Sequence, residues 1–313
     1  MQRRKLGQTE VSLTEVALGT WGLAAGSYGR VDPARFDATV QRALDVGVRT
    51  FDLSPLWGEF GASERVVGRL AQSLRAECAY ITRAGVERQG AGVSVRFDRA
   101  SLRHDCETSL SRLGTDYLDV LLMHHPSEAA LRTDELRETA ERLRDDGKIR
   151  AWGVSVGSAL EARLAIAAGA QAICLVHNVL SSDLLDDLAA DIAVAGTGVL
   201  ARSPLAYGLL AGTFSIDQTF AADDHRARRW DSETLNRRLA AVAQLGFLVH
   251  GTVRNPADAA IRWVLANSAV TSCVVGSRSP AQAVSAAAAS VGEPYLPEDE
   301  LMRIPQILAA LGL

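Results

Sequence analysis

The stretch FDLSPLWGEFGASER, Phe51 to Arg65, decides how the chain is read. An apolar run stops on an aspartate, Asp52, a loop carrying Trp57 follows, and Ser63-Glu64 has the look of a helix start. Strand, loop and helix in that order make one β/α unit, and a carboxylate at the mouth of a buried strand needs a partner or a task. Working outward, the same unit recurs along the chain. Short apolar, β-branched runs stand at 15–19, 49–53, 79–83, 118–123, 150–155, 172–177, 198–203 and 271–276. Between them lie stretches of helical period: one entered through Asp32-Pro33 with proline at the first helical position, then SERVVGRLAQSL, RASLRHDCETSLSRLG, TDELRETAERLRDDG, SALEARLAIAAG, AADIAVAG and PADAAIRWVLAN. Eight strands alternating with helices predict an α/β fold, a closed (β/α)8 TIM barrel, ahead of an open doubly wound sheet.

Two segments break the rhythm. Residues 3–13 read as an N-terminal β-hairpin that closes the barrel floor. Residues 206–250 form a long insertion between strands 7 and 8, including FAADDHRARRW, and an insertion there is more often functional than idle. Nothing resembles a linker, so one domain is expected over 1–313.

Composition narrows the function. A net charge of −4, with Arg and Lys scattered among Asp and Glu, gives no electrostatic case for nucleic acid. No apolar run approaches the roughly 18 residues a membrane span needs, and the charged start lacks a secretory pattern. The four cysteines, Cys78, Cys106, Cys174 and Cys273, form no C-x-x-C pair, so neither a metal site nor a disulfide framework is expected. A cytoplasmic protein acting on a small molecule is the reading that fits.

In such a barrel the reactive face is the carboxyl end of the strands. Those ends read Thr20-Trp21, Asp52, Arg83, His124-His125, Ser155, His177-Asn178, Arg202-Ser203 and Gly276-Ser277-Arg278. Each has a plain structural reading. Asp52 with Arg83 is equally an ion pair tying two strands, Trp21 and Trp57 are equally wall residues, and Ser277 to Pro280 is equally a helix cap. Polar groups at nearly every end point instead to a shared pocket.

The residues resemble the aldo-keto reductase superfamily, in its bacterial branch, essentially from end to end. KLGQTEVSLTEVALGTWGL, FDLSPLWGEFGASERVVG, SLSRLGTDYLDVLLMHHP, WGVSV, RSPLAYGLLAG and WVLANSAVTSCVVGSRSPAQ carry the resemblance. It implies a (β/α)8 barrel that moves hydride between NAD(P)H and a carbonyl. It also implies a tyrosine acid, a lysine that acidifies it, an aspartate paired to that lysine and a substrate-orienting histidine. The aspartate and histidine positions hold Asp52 and His124. The tyrosine position holds Trp57 and the lysine position Arg83. An indole N–H donates a hydrogen bond but releases no proton near neutral pH. Arg83 stays cationic and can clamp Asp52 with both arms, but it does not shuttle protons. Loss of the acid alone costs roughly 10²–10⁴ in rate. A protonated His124 or an ordered water would then supply the proton. Tyr28 either returns a phenol to the pocket or is a surface loop residue. Trp21, Tyr28 and His125 are the expected pocket wall.

For the cofactor, the resemblance places Gly276, Ser277, Arg278 and Gln282 around the adenosine 2′-phosphate, which favours NADP(H). It places Ser203 and Leu205 beside the pyrophosphate and Arg202, where an aromatic is common, among the cofactor-binding residues. The nicotinamide contacts read as Ser155, followed by Val156, and His177. The adenine pair reads as Ser285-Ala286. The reading is therefore an NADP(H)-dependent oxidoreductase with an altered tetrad, acting on a sugar-like or natural-product carbonyl, with secondary metabolism in a GC-rich bacterium as the setting that composition suggests. Two alternatives stay open. One is a non-redox dehydratase, isomerase or cyclase using Asp52, His124 and Arg83, and the other is a binding protein without catalysis.

Overall fold

The computed structural model describes residues 1–23, 27–29, 31–90, 92–292 and 294–312. Eight parallel strands close into a barrel: β3 (Val16–Gly19), β4 (Thr50–Asp52), β5 (Ala79–Ala84), β8 (Leu118–His124), β9 (Ile149–Ser155), β10 (Ala172–Val176), β11 (Gly198–Arg202) and β12 (Val270–Gly276), with β12 returning to β3. Each expected strand is present within two residues of its expected ends. Helices between them pack outside: α1 (Pro33–Asp45), α2 (Ala62–Leu70), α3 (Arg99–Leu113), α4 (Glu128–Leu131), α5 (Asp134–Asp145), α6 (Ala159–Ala167), α7 (Asp183–Ala195), α8 (Ser232–Gln244), α9 (Pro256–Ala266), α10 (Pro280–Ala288) and α11 (Glu298–Ala310).

Helix entry follows one local rule three times. Asp32, Asn255 and Ser279 each accept a backbone N–H with their side chains, and each is followed by a proline that lacks an N–H to satisfy. Gly114 and Gly196 stop α3 and α7 in the left-handed conformation, at φ 63° and 62°.

The core has two shells. Outward residues such as Phe51, Tyr80, Leu121 and Trp152 pack under the helices. Inward residues Ala17, Ile81, Val120, Leu122, Ala151 and Leu200 fill the barrel. The floor is the expected hairpin, β1 (Arg3–Lys5) paired antiparallel with β2 (Ser12–Thr14), which drives Leu6, Val11 and Leu13 into the inner shell.

Besides α4 and α10, which no expected helical stretch covers, four elements depart from the reading. The helix expected at AADIAVAG begins six residues earlier, at Asp183, because Leu185, Leu188 and Ile192 already keep helical spacing behind two acidic first-turn residues. The 206–250 insertion is no plain loop. It holds α8 and three 3₁₀ segments, and its apolar side chains build a satellite core with α9 and α11. An unforeseen antiparallel hairpin, β6 (Val86–Gln89) with β7 (Gly92–Val95), follows β5, and its mostly exposed strands bury too little to show in an apolar pattern. Pro305 inside α11 hides that helix from a periodicity argument.

The floor is tight at Gly7, where a Cβ would stand 2.2 Å from the Gly196 carbonyl oxygen and 2.7 Å from the Gly198 nitrogen, at φ +54°. Gly7→Ala should therefore lower unfolding stability by about 2–4 kcal/mol in urea titration. An unchanged midpoint would mean that the hairpin does not seal the barrel.

Candidate active site

Side chains alternate in and out along each strand, so the inward set at the mouth follows from position alone. On β5, Ala79 and Ile81 face in, and so does Arg83. On β8, Val120 and Leu122 lead to His124. On β9, Ala151 leads to Ser155, and on β11 Leu200 leads to Arg202. Asp52 is the register partner of Ile81, and His124 that of Ser155. The structure thus brings Asp52, Arg83, His124, Ser155 and Arg202 to one ring. The ring is lopsided, because β12 and β3 end on Gly276 and Gly19, themselves register partners, and a Cβ on Gly276 would meet nothing within 4 Å.

Asp52 and Arg83 are 3% and 2% exposed, and one Arg83 Nη1 donates to Asp52 Oδ1 at 2.7 Å. A two-armed clamp is not formed. Nη1 also serves the Leu53 carbonyl at 2.6 Å, while Nη2 turns to Cys174 Sγ at 3.9 Å. Arg83 Nε is buried without a partner. Burial pushes the Asp52 carboxyl up, with Arg83 and then Arg202 pulling it back. Half-buried Trp57 lies on this pair, its ring 4.4 Å from the Arg83 guanidinium carbon. That is a cation–π contact, and it explains a tryptophan five residues beyond the aspartate.

Burial, then Arg83, His125 and Arg202, press the His124 imidazole down to about 3. It is therefore neutral near pH 7, and the expectation of a protonated His124 as proton donor does not survive. Its Nδ1 is buried without a partner, as is Ser155 Oγ. His125 sits at φ +50°, exposed at the rim and edge-on to His124 with ring centroids 5.0 Å apart.

His177 is not brought to the mouth. It has the opposite parity to Ala172 and Cys174, so it points away from the barrel and stacks on Trp263 at 4.8 Å, 1% exposed, with both ring nitrogens unpartnered. Cys174 occupies the inward place on that strand, beside Arg83. Parity within AICLVH was the signal that would have chosen it.

Trp21 and Tyr28 join the insertion rather than Trp57. Trp21 packs on Tyr28, Tyr207 and His225. Tyr28 forms a backbone bridge to Asp224, and His225 N–H donates to the Ser27 carbonyl at 3.0 Å. The Tyr28 hydroxyl is pushed up to about 12, chiefly by burial, which makes it a poor acid. Arg226 and Arg229 lie over Tyr28 and Tyr207. These insertion residues went unassigned in the sequence, although the charge density of DDHRARRW marked them.

Arg278 donates from Nε to the Gly22 carbonyl at 3.2 Å and leans over Tyr28. Arg226 lies over the same Tyr28 ring, so two guanidiniums gather at this edge. The Gln282 side chain accepts from Arg278 N–H at 2.7 Å, and Ser277 is buried. Ser203 is held at φ +59°, its carbonyl accepting from Asn178 Nδ2 at 3.1 Å, and Leu205 packs between the main and satellite cores. An arginine-rich edge, open space over Gly276 and an unpartnered Ser155 Oγ suit a nicotinamide dinucleotide.

A (β/α)8 barrel with a polar ring at its carboxyl end defines the class. The sequence profile of the Aldo/keto reductase family matches residues 15–309, and the chain belongs to that family. It is 27% identical over 288 residues to an aldo-keto reductase of Bacillus subtilis, covering 90% of this chain and 86% of that one. It is 28% identical over 300 residues to an NADH-specific methylglyoxal reductase of Escherichia coli, covering 90% and 91%. The structure of a glycerol dehydrogenase from Gluconobacter oxydans superposes with a TM-score of 0.85 at 28% identity, covering 98% of this chain and 95% of that one. No helix among the described residues is long and apolar enough to cross a membrane.

Two outcomes test the site's energetics. Asp52→Asn leaves Arg83 buried and uncompensated, so it should cost about 3–5 kcal/mol in urea unfolding. Adding Arg83→Met to that variant should recover part of the loss, and no recovery would mean that Asp52 acts apart from Arg83. Burial holds His177 down to about 4, and burial is also the chief cause that holds His124 down to about 3 and His225 to about 4, against an ordinary 6.5. The unfolded chain takes up those protons first, so stability is full above about pH 6.5 and falls as pH drops toward 4. His177→Phe should flatten this acid limb, raising the urea midpoint more at pH 4.5 than at pH 7.5. An equal rise at both would put its proton uptake elsewhere.

Proposed function

We propose that this chain is an NADP(H)-dependent oxidoreductase that interconverts a carbonyl and an alcohol on a small sugar-like or natural-product substrate, through Asp52, Trp57, Arg83 and His124. The observation that carries this reading is the inward ring of Asp52, Arg83 and His124 in a barrel of this family, with Arg278 and Arg226 gathered over Tyr28 at one edge. When bound, NADP(H) supplies or accepts the hydride, and Arg278 with Gln282, Ser277 and Gly276 would hold its 2′-phosphate end. Ser203 and Leu205 would flank the pyrophosphate, with Ser155 at the nicotinamide.

The chain's own part is electrostatic. Asp52 fixes Arg83, and Trp57 walls its guanidinium on one side. Arg83, with a neutral imidazole N–H from His124, faces the oxygen on which negative charge develops. Trp57 and Arg83 release no proton near neutral pH, the Tyr28 hydroxyl is pushed too high, and His124 carries no spare proton. An ordered water therefore supplies it. A non-redox reaction at the same ring is the second reading. It is favoured by Trp57 stacked on Arg83, where the resemblance implies a phenol and an amine.

Titration with NADPH and with NADH, followed through tryptophan fluorescence, separates the two. Micromolar NADPH binding is expected, and Arg278→Ala should weaken NADPH by roughly tenfold more than NADH. Equal weakening would remove the case for the 2′-phosphate. No binding of either nucleotide up to millimolar concentration would sink the redox reading and leave the second.

A further inference from the structure

The hairpin that follows β5 has two unlike faces. Register partners in an antiparallel pair share a face, and residues two apart on a strand return to it. Val86 pairs with Val95 and Arg88 with Val93, so these four stand on one side. Glu87, Ser94 and Arg96 stand on the other, where Glu87 and Arg96 form an ion pair. The apolar side is only half covered. Val86, three residues beyond Arg83, is 4% exposed, whereas Val93 and Val95 are 53% and 56% exposed. Among the described residues no other strand exposes two large apolar side chains. A two-stranded ribbon is marginal in water until its apolar face is covered. Arg88 gives that face its direction, since its Nη2 donates to the Leu56 carbonyl at 3.1 Å. Leu56 precedes Trp57, whose half-buried ring lies 4.4 Å from the Arg83 guanidinium carbon. The uncovered valines are therefore turned toward the loop that carries Trp57. Both walls are fixed: Ser63 Oγ donates to the Ser54 carbonyl at 3.0 Å and Ser63 N–H to the Trp57 carbonyl at 3.2 Å, while Asp105 Oδ2 accepts from Gly85 N–H at 2.8 Å at the hairpin's base.

We propose that the substrate is a carbonyl compound bearing an apolar chain or ring, which lies between the Val93–Val95 face and Trp57 while the carbonyl meets Arg83 and His124. The proposal rests on the redox reading above for the reacting group, and it separates the two kinds of substrate named there. A sugar's hydroxyls would find only methyl groups on the valines, and burying them unpaired is unfavourable. An alkyl chain gains affinity with each methylene that leaves water. For an aldehyde the reaction is R–CHO + NADPH + H⁺ → R–CH₂OH + NADP⁺. The hydride forms the new C–H bond, the carbonyl π bond opens onto oxygen, and that oxygen takes a proton from water. A second copy of this chain is the other occupant an apolar face invites. The small molecule is favoured, because the uncovered face is two valines wide and continues into the ring, whereas a stable protein interface buries on the order of 1,000 Å².

The test is binding of 1-butanol and 1-octanol to the intact protein by tryptophan fluorescence, with and without NADP⁺, together with NADPH consumption on butanal and octanal and sedimentation velocity of the protein alone. 1-Octanol should bind at least about tenfold more tightly than 1-butanol, and octanal should lead butanal similarly in kcat/KM. Val93→Thr combined with Val95→Thr keeps β-branching and hence the strand, and should cut both preferences at least about threefold. Val194→Thr, at an exposed valine on α7, should leave them unchanged and so controls for non-specific partition of the longer chain. Circular dichroism checks that the variants fold. Equal binding of the two alcohols, no alcohol binding in either state, or a preference that survives the double variant would each overturn the proposal. A preference lost equally in Val194→Thr would overturn it too. A dimer that dissociates in the double variant would assign the valines to a second copy and overturn it as well. A chain-length preference in alcohol binding that the double variant removes, with no NADPH consumed on either aldehyde, would leave the apolar slot standing while the redox reading fails. Consumption on both aldehydes at equal kcat/KM would do the reverse.

Discussion

In a closed parallel sheet the side chain at every second position points into the barrel, and most of what this protein holds at its mouth follows from that constraint. Asp52, Arg83, His124, Ser155 and Arg202 meet because each sits an even number of residues beyond an inward apolar residue on its own strand or beside one in register. The barrel below them is filled by Ile81, Val120, Leu122 and Leu200 and plugged by Leu6, Val11 and Leu13. The ring is therefore wet on one side only. Burial over that apolar filling, with the charges of Arg83 and Arg202 added, presses His124 toward its neutral form and makes the Asp52–Arg83 contact strong.

The same parity explains how far the sequence could be read. Strand positions were legible because buried parallel strands are short, dense and β-branched, and helix starts because Asp32-Pro33 is an unambiguous local signal. Which face a residue occupies follows from parity, which a list of strand ends does not state. His177 was misplaced because its strand runs apolar from Ala172 to Val176, and in such a run the inward and outward positions look alike. A place one residue earlier or later changes a pocket residue into a packing residue against Trp263.

What was not legible arises between distant segments. The contact of Trp57 with Arg83 needs a loop fold that no local pattern states, and the single-armed Arg83 bond depends on the Leu53 carbonyl and Cys174 competing for its donors. The joining of Tyr28 to Asp224 ties the loop after β3 to an insertion about two hundred residues away in sequence, and neither end announces the other. The insertion's own helix, by contrast, has clear apolar spacing. It was obscured by the charge run before it.

Gly19 and Gly276 lie side by side at the end of the sheet, and their lack of side chains leaves one flank of the ring as bare backbone. Next along the barrel stand a carboxylate, on Gly19's register partner Asp52, then a guanidinium and an imidazole. A flat ligand seated in this ring meets two unlike surfaces, so its left and right faces are not equivalent to the protein. Handedness at this site is thus written in the absence of two side chains as much as in the presence of three.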